Sequence, residues 1–398
     1  MSDATPRRHG DQTAIPCWFM RGGTSRGPFF RATDLPAAES ERDAVLLAVM
    51  GSPHPLQVDG VGGGHPLTSK VGIVGLSDQP DIDLEFRFAQ LQPDSDRVDT
   101  RANCGNMLAA VVPFAVESGL ITATEDTTTA RVLTLNTGMA ADITVRTSLA
   151  EDGKRYVDYG GDARIDGAPG TAAPVTIAFL DTAGSVAASL LPSGRVRDTV
   201  EADGVGTVEV TLIDNGQPLV IIAAADLDRT GRETPEQLNA DEELKGRLEA
   251  LRKVCGEAMG LGDVTEKNYP KMTLVAPPAE GGSITTRSFI PHVCHESIGV
   301  LAAVTVATAC VLPGSVAADV ADLGAEFDGE AGGDVTVAVE HPSGEFSVDL
   351  SVEAGDPPAV TRSALLRTAR LIMAGTAFVP GNLLEHGTSP TEKQEAHA

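Results

Sequence analysis

The sequence predicts an α+β protein of two pseudo-symmetric domains, each a curved, mostly antiparallel sheet around one central helix. Three observations carry this. Strand-like segments are numerous, whereas long apolar helical segments number one in each half, Cys104 to Glu117 and Val300 to Val311. Phe29-Phe-Arg-Ala-Thr-Asp-Leu35 matches Ile221-Ile-Ala-Ala-Ala-Asp-Leu227, and Cys104-Gly-Asn-Met-Leu-Ala-Ala-Val111 matches Ser297-Ile-Gly-Val-Leu-Ala-Ala-Val304 at nearly the same spacing. Between them Lys70-Val-Gly-Ile-Val74 resembles Lys271-Met-Thr-Leu-Val275. Each match is short, but their shared order is that of a duplicated fold.

At 398 residues the chain exceeds the usual size of a single core, so two domains are expected. We place them at 12–183 and 184–385, with 1–11 and 387–398 as flexible tails. A formal charge of −26, with only 30 Lys and Arg, argues against nucleic-acid or anionic-membrane partners. It leaves room for an anionic small molecule, because a few local cations outweigh a distant negative surface. Five scattered cysteines without a Cys-x-x-Cys pair suit a reducing cytoplasm. Neither a signal peptide nor a membrane-spanning apolar run is evident.

In chain order, Ile15–Phe30 reads as strand, glycine turn and strand. A helix is expected over Ala37–Met50, ended by Gly51. The run Gly60-Val-Gly-Gly-Gly-His-Pro-Leu-Thr-Ser-Lys70 then leads into a strand, Val71–Leu76. It has neither the Gly-Lys-Ser/Thr order of a Walker A loop nor a dinucleotide fingerprint. Asn103-Cys-Gly-Asn106 opens a helix that continues to Glu117 and stops at Gly119. Strands follow at Arg131–Leu135, Asp142–Arg146 and Val175–Phe179. Val205–Ile213 and Leu219–Ala224 read as a hairpin around Asp214-Asn-Gly-Gln-Pro218. Asp241–Met259 has amphipathic helical spacing, Met272–Pro277 and Ser283–Ile290 alternate as strands, and the helix Val300–Val311 follows His295-Glu-Ser-Ile-Gly299. Asp334–Glu340 and Glu345–Val352 pair around His341-Pro-Ser-Gly344, and Ala359–Phe378 contains a basic helix or strand.

Two residues carry candidate chemistry. A thiol at a helix start is favoured as thiolate, and the N–H groups of Gly105 and Asn106 suit a carboxylate or enolate. The alternative for Cys104 is a small buried core residue. A lysine that begins a strand beyond a glycine run can be desolvated in a cleft, which lowers its pKa toward that of a general base. The alternative for Lys70 is an exposed strand-end lysine. If the two halves face each other, both helix N-termini meet at one cleft suited to a polycarboxylate, with Cys104 and Ser297 on opposite walls. His292, Cys294 and His295 do not make a metal site, because adjacent side chains at a strand end point apart.

The set Met20-Arg-Gly-Gly-Thr-Ser25, Gly62-Gly-Gly64 with Thr68-Ser-Lys70, Asn103-Cys-Gly-Asn106 and Phe289-Ile-Pro-His292 resembles the PrpF-like isomerases, from about Ile15 to Pro380. That resemblance implies the diaminopimelate-epimerase fold and cofactor-free catalysis. It also implies a lysine and a cysteine in the site, Lys70 and Cys104 by motif match. Asp158-Tyr-Gly-Gly-Asp-Ala-Arg-Ile-Asp-Gly167, Pro270-Lys-Met272 and Ile298-Gly-Val300 favour the branch acting on 4-oxalomesaconate in gallate-type aromatic catabolism. The alternatives are 2-methylaconitate isomerisation and a non-catalytic accessory role that only binds such acids.

On this reading Lys70 and Cys104 pass a proton along a conjugated skeleton, and either can be acid or base. Thr24, Ser25, Gly105 and Asn106 hold the enolate, Ser69 and Asn103 belong to the same motifs, and Arg21, Arg287, His292, Ser297 and Gly299 bind carboxylates. Each has a bland alternative: an ion-paired Arg, a strand-end His, an N-cap Ser. Arg26 replaces the family's lysine but keeps the charge, and Ser297 stands where two-thiol epimerases have a second cysteine. A homodimer is a further family expectation.

Overall fold

In the computed structural model the described residues are 7–101, 103–324, 327, 331–355 and 358–383. The chain divides into two compact units. Unit 1 comprises residues up to Arg164, Gly170–Thr176 and those from Arg367 onward. Unit 2 comprises Ile165–Pro169 and Ile177–Leu366.

Unit 1 is built from β1 (Arg7–His9), β2 (Gln12–Gly22), β3 (Ser25–Arg31), β4 (Lys70–Leu76), β5 (Leu84–Leu91), β6 (Val98–Asp99), β7 (Thr127–Thr134), β8 (Met139–Leu149) and β9 (Arg155–Val157). β10 (Pro174–Phe179) follows. The pairings run β2/β3 antiparallel, β3/β4 parallel, β4/β5 antiparallel, β5/β7 parallel and β7/β8 antiparallel. A parallel neighbour cannot be reached by a tight turn. α1 (Glu39–Met50) lies in the first crossover, and α2 (Gly105–Leu108) with α3 (Val111–Glu117) lies in the second.

Unit 2 repeats this succession. Its strands are β11 (Asp198–Ala202), β12 (Gly206–Asp214), β13 (Pro218–Ala223), β14 (Lys271–Ala276), β15 (Ile284–Phe289), β16 (Gly333–His341) and β17 (Gly344–Glu353). From β12 to β17 the pairings are antiparallel, parallel, antiparallel, parallel and antiparallel. α4 (Pro235–Asn239) and α5 (Glu242–Ala258) fill one crossover and α6 (Val300–Cys310) the other. The register agrees with the sequence matches. Phe29 pairs with Gly72, and their counterparts Ile221 and Thr273 pair in the same way.

β18 (Ala359–Pro380) serves both sheets in turn. Up to Leu365 it pairs with β17, and from Ala369 it pairs with β2. The units are therefore not the linear stretches 12–183 and 184–385, because the last strand closes the sheet on which the chain began. Strand character also resolves the ambiguity over Ala359–Phe378.

Two expectations need correction. The tail 1–11 is not wholly loose: β1 pairs with β2 in the register Arg7↔Ala14, turning at Gly10 with φ +65°. Backbone hydrogen bonds hold this exposed edge strand, so its polar side chains gave no signal. Residues 1–6 and 384–398 lie outside the described residues. The helix expected from Cys104 to Glu117 is instead the single turn α2, then α3. Pro113 explains the break, since it has no N–H to offer Ala109 and its ring crowds that carbonyl.

Phe114 of α3 fills the sheet face of unit 1, edge-on to Trp18 with ring centroids 5.3 Å apart and 5.6 Å from Phe29. Phe29 also stacks on Phe86 at 6.5 Å. Its ring lies over Gly72, where an added Cβ would stand 2.3 Å from a ring carbon. Gly72→Ala should therefore cost about 1–3 kcal/mol, the usual range for overpacking a core. A lowered urea midpoint with an unchanged m-value would show it.

Candidate active site

The loop that ends in Lys70 is braced from within. Gln57 Oε1 lies 2.8 Å from Ser69 Oγ and accepts from the Gly64 N–H at 2.9 Å. Ser69 Oγ is also 2.9 Å from the His65 carbonyl. Ser69 is thus a fully buried strut of the loop. Lys70 opens β4 and is only 8% exposed, which sets aside the strand-end alternative. Its Nζ donates to Gln90 Oε1 at 2.5 Å and lies 5.1 Å from the centre of the Phe88 ring.

Gln90 is itself immobilised. Its Nε2 is within hydrogen-bond distance of the Pro66, Ser69 and Leu91 carbonyls at 3.1, 3.1 and 2.9 Å. Those acceptors fix which end of the amide faces Lys70. Sequence reading passed over β5 and with it Gln90, although Leu84-Glu-Phe-Arg-Phe-Ala89 alternates as a strand should.

Cys104 occupies the cap position of α2 in extended backbone, φ −135° and ψ 101°, and is partly exposed. Asn103 Oδ1 accepts from its N–H at 2.8 Å. In the first turn of α2 the N–H groups of Gly105 and Asn106 have no place in an intrahelical ladder. The Asn106 side chain donates to Thr24 Oγ1 at 2.9 Å, joining the turn to the β2–β3 hairpin. Gly22 and Gly23 make room for it: a Cβ on Gly22 would meet the Asn106 carbonyl at 2.2 Å, and one on Gly23 the Asn106 Oδ1 at 2.1 Å. A Cβ on Gly27 would stand 1.7 Å from the Lys70 carbonyl and 3.5 Å from Met107 Cε. The hairpin, the base of Lys70 and the cysteine turn therefore meet within unit 1. Ser25 beside them is 1% exposed, and its hydroxyl finds no hydrogen-bond partner among the described residues.

A long helix does not supply the positive charge facing Cys104, since α2 is one turn. Arg367, 3% exposed at the start of the β18 segment of unit 1, interacts electrostatically with Cys104. Burial pulls its guanidinium down to about 10, so it stays charged at neutral pH, and Cys104 acts in the opposite sense. Nothing in the local sequence around Arg367 distinguishes it; only the β18–β2 pairing brings it here.

Three of the expected carboxylate binders have their polar groups engaged by the protein. Arg21 Nη1 lies 2.7 Å from the Gly23 carbonyl and 3.0 Å from Thr368 Oγ1, stapling β18 to the hairpin. Arg287 is 9% exposed, and its Nε and Nη1 donate to the Glu233 and Thr286 carbonyls at 2.6 and 2.8 Å. His292 Nε2 pairs at 3.0 Å with Glu249 of α5, which also holds Arg252. Arg21 and Arg287 thus place donors on backbone carbonyls, Arg21 also on the Thr368 hydroxyl, and His292 pairs with a surface carboxylate.

In unit 2, Ser297 Oγ lies 3.3 Å from His341 Nε2, and its N–H donates to His295 Nδ1 at 2.8 Å. Gly299 is the cap residue of α6 and offers no side chain to its first turn.

A family model described as "PrpF protein" matches residues 12–380. The chain belongs to the PrpF family. It is 51% identical over 374 residues to "(4E)-oxalomesaconate Delta-isomerase" of Novosphingobium sp., covering 94% of this chain and 100% of the relative. It is 50% identical to "4-oxalomesaconate tautomerase" of Pseudomonas putida over 92% of this chain and 97% of the relative. The crystal structure of methylitaconate-delta-isomerase superposes with a TM-score of 0.80 at 32% identity, covering 96% of this chain and all of the other. The α+β architecture is thus that of a PrpF-family isomerase.

Within this PrpF chain all five cysteines are free, but only Cys104 is not buried. Burial pushes the Cys17 and Cys294 thiols up to about 11 and those of Cys255 and Cys310 up to about 12. Because the thiolate is the reactive form, these four should carry about a thousandth of their thiol as thiolate, or less, at pH 8. Brief iodoacetamide treatment of the folded protein at that pH should modify Cys104 alone. Peptide mass spectrometry showing an equal label on a second cysteine would contradict this.

Proposed function

We propose that this PrpF-family protein is a cofactor-independent isomerase that shifts a proton along the conjugated skeleton of 4-oxalomesaconate. The observation that carries the reading is a buried lysine clamped by a fixed amide in the unit that also holds Cys104. The two relatives at half identity, both named for oxalomesaconate, supply the substrate. The reading assigns the protein to aromatic-compound catabolism in the cytoplasm, where five free thiols persist. We extend the family's expected homodimer to it as well.

The chemistry follows from the site. An unprotonated Lys70 amine takes a proton from the carbon activated by the neighbouring carbonyl and carboxylate. The C–H bond breaks, an N–H bond forms, and the electron pair spreads over the dienolate. Gln90 holds Nζ in one direction without adding a charge, so the amine can change protonation state in place. The first-turn N–H groups of Gly105 and Asn106 and the unpartnered Ser25 hydroxyl are donors for the dienolate oxygen. Cys104 returns a proton at the far end, and the same two groups run the reaction backward with roles exchanged. Return to carbon makes this an allylic isomerisation, and return to oxygen a keto–enol tautomerisation. Arg367 and Arg21 provide local positive charge for a tricarboxylate inside a strongly acidic protein.

Proton NMR of 4-oxalomesaconate in D2O distinguishes these outcomes. Conversion with deuterium at a new carbon position is the allylic result, and loss of a C–H signal to an enol is the tautomeric one. Lys70→Met should lower turnover at least about a thousandfold, as expected when a positioned proton-transfer group is lost. A folded wild-type protein that binds the acid and leaves its spectrum unchanged would sink the catalytic reading. Turnover of 2-methylaconitate alone would keep the chemistry and change the substrate.

Gln90→Leu tests the clamp separately. With Nζ no longer held, kcat should fall about ten- to a hundredfold, in keeping with the cost of misplacing a reacting group by about 1 Å. KM should change little. An unchanged kcat would show that the amide is merely structural.

A further inference from the structure

The loop between α1 and β4 is built against its own hydrophobicity. Leu56 and Val58 stand in solvent, 74% and 77% exposed, while Gln57 between them is 1% exposed. The opposite orientation, with the two aliphatic side chains inside and the amide in water, is the usual distribution. Gln57 also holds its backbone in the left-handed region at φ +49°, which is uncommon for a residue with a side chain. Gly62 clears the space that the amide fills, since a Cβ there would stand 2.2 Å from Gln57 Cδ. A loop that forgoes apolar burial and accepts an unfavourable backbone points to a functional role for the group it buries.

The contacts of that amide lead to Lys70. Its Oε1 accepts from the Gly64 N–H at 2.9 Å, which fixes the oxygen on that side, and lies 2.8 Å from Ser69 Oγ. Its Nε2 donates to Ser52 Oγ at 3.0 Å, and Ser52 Oγ donates to the Gln92 carbonyl at 3.0 Å. Gln92 follows the end of β5, so the loop is fastened to the strand that carries Gln90. The two paths meet at Ser69. Its hydroxyl faces Gln57, and its carbonyl accepts from the Leu91 N–H at 2.9 Å and from Gln90 Nε2 at 3.1 Å. Gln90 Oε1 in turn accepts from Lys70 Nζ. All of these residues belong to unit 1.

We propose that Gln57 is a positioning residue for Lys70, acting through Ser69 and Gln90. Buried as it is, it acts on other residues and not on a substrate. Gln90 can aim Nζ only while its own acceptors stay in place. Two of the three, the Pro66 and Ser69 carbonyls, belong to the loop that Gln57 holds. Without the Gln57 amide those carbonyls can shift, and displacing a reacting group by about 1 Å costs up to about a hundredfold in rate. The inference rests on the proton-transfer reading of Lys70 for its catalytic consequence, not for the network itself.

The test uses Gln57→Leu, Ser69→Ala and Gln90→Leu in the full chain, singly and in pairs. Ser69→Ala is the milder cut. The Gly64 N–H still bonds to Gln57 Oε1 and the His65 carbonyl still accepts from the Thr68 N–H at 2.9 Å, so neither acceptor is orphaned. In turnover of 4-oxalomesaconate, Gln57→Leu and Ser69→Ala should each lower kcat about tenfold with KM within about twofold. Paired with Gln90→Leu, neither should lower kcat below the Gln90→Leu value, because the clamp through which they act is already gone. A lowered urea midpoint with kcat unchanged in both single variants would make the brace merely structural and overturn the proposal. Losses in kcat that multiply in the pairs would overturn it as well, since they would reach Lys70 by independent routes. Should the wild-type protein fail to turn over the acid, the functional reading falls and the network is read from urea midpoints instead. There the destabilisation of the Gln57→Leu, Gln90→Leu pair should be less than the sum of the single losses, and an additive loss would overturn the coupling.

Discussion

Everything in the proposed catalytic unit depends on a close backbone approach. The cysteine turn reaches the β2–β3 hairpin only because Gly22 and Gly23 have no side chains, and the Asn106 amide then bonds across to Thr24. Gly27 permits the same approach at the Lys70 carbonyl. These contacts leave no slack. A backbone held against another backbone at van der Waals distance positions a reactive group better than a flexible side-chain contact would. Arg21 completes the assembly from outside by tying the hairpin to Thr368 of the final strand. The glycines that read as a ligand-binding turn in the sequence are thus first a packing device.

Duplication explains the rest of the architecture. The same order of antiparallel and parallel pairs recurs in both units, with helices in the same crossovers. A duplicated fold starts with two copies of every functional position, and each copy is then free to change. Position by position the outcome is legible: lysine kept in both, cysteine in one and serine in the other. The central helix diverged too. α6 runs unbroken with Thr305 and Thr308 bonded to Asn215 of the β12–β13 turn, while Pro113 divides its counterpart.

Electrostatics in this protein are local. A chain with a net charge of −26 looks unsuited to an anionic substrate, yet Arg21, Arg367 and Arg370 lie close along one strand pair of unit 1. Arg21 and Arg367 are held below their ordinary pKa by burial, and Arg21 also by the like charge of Arg370. Keeping such groups desolvated costs folding energy, and that cost falls when a carboxylate arrives. A local group of cations can thus attract an anion that the net charge of the chain would repel.

The sequence by itself determined which local segments are strands and helices wherever side-chain pattern decides them: the α1 stop at Gly51, the hairpin around Asn215-Gly216, the amphipathic helix α5. It also determined the duplication and singled out Lys70 and Cys104 as candidates, because matched motifs are a property of order along the chain. It misjudged elements held by backbone bonding, such as β1, and overlooked the effect of one proline inside an otherwise helical run. Only the tertiary structure decided what faces Lys70 and Cys104. Gln90 comes from a strand twenty residues on, and Arg367 from the far end of the chain. It also gave Arg21, Arg287 and His292 partners within the protein that the sequence did not show. The reason is physical: periodicity records whether a side chain is buried, but the atom it touches is set by sheet pairing between residues distant in sequence.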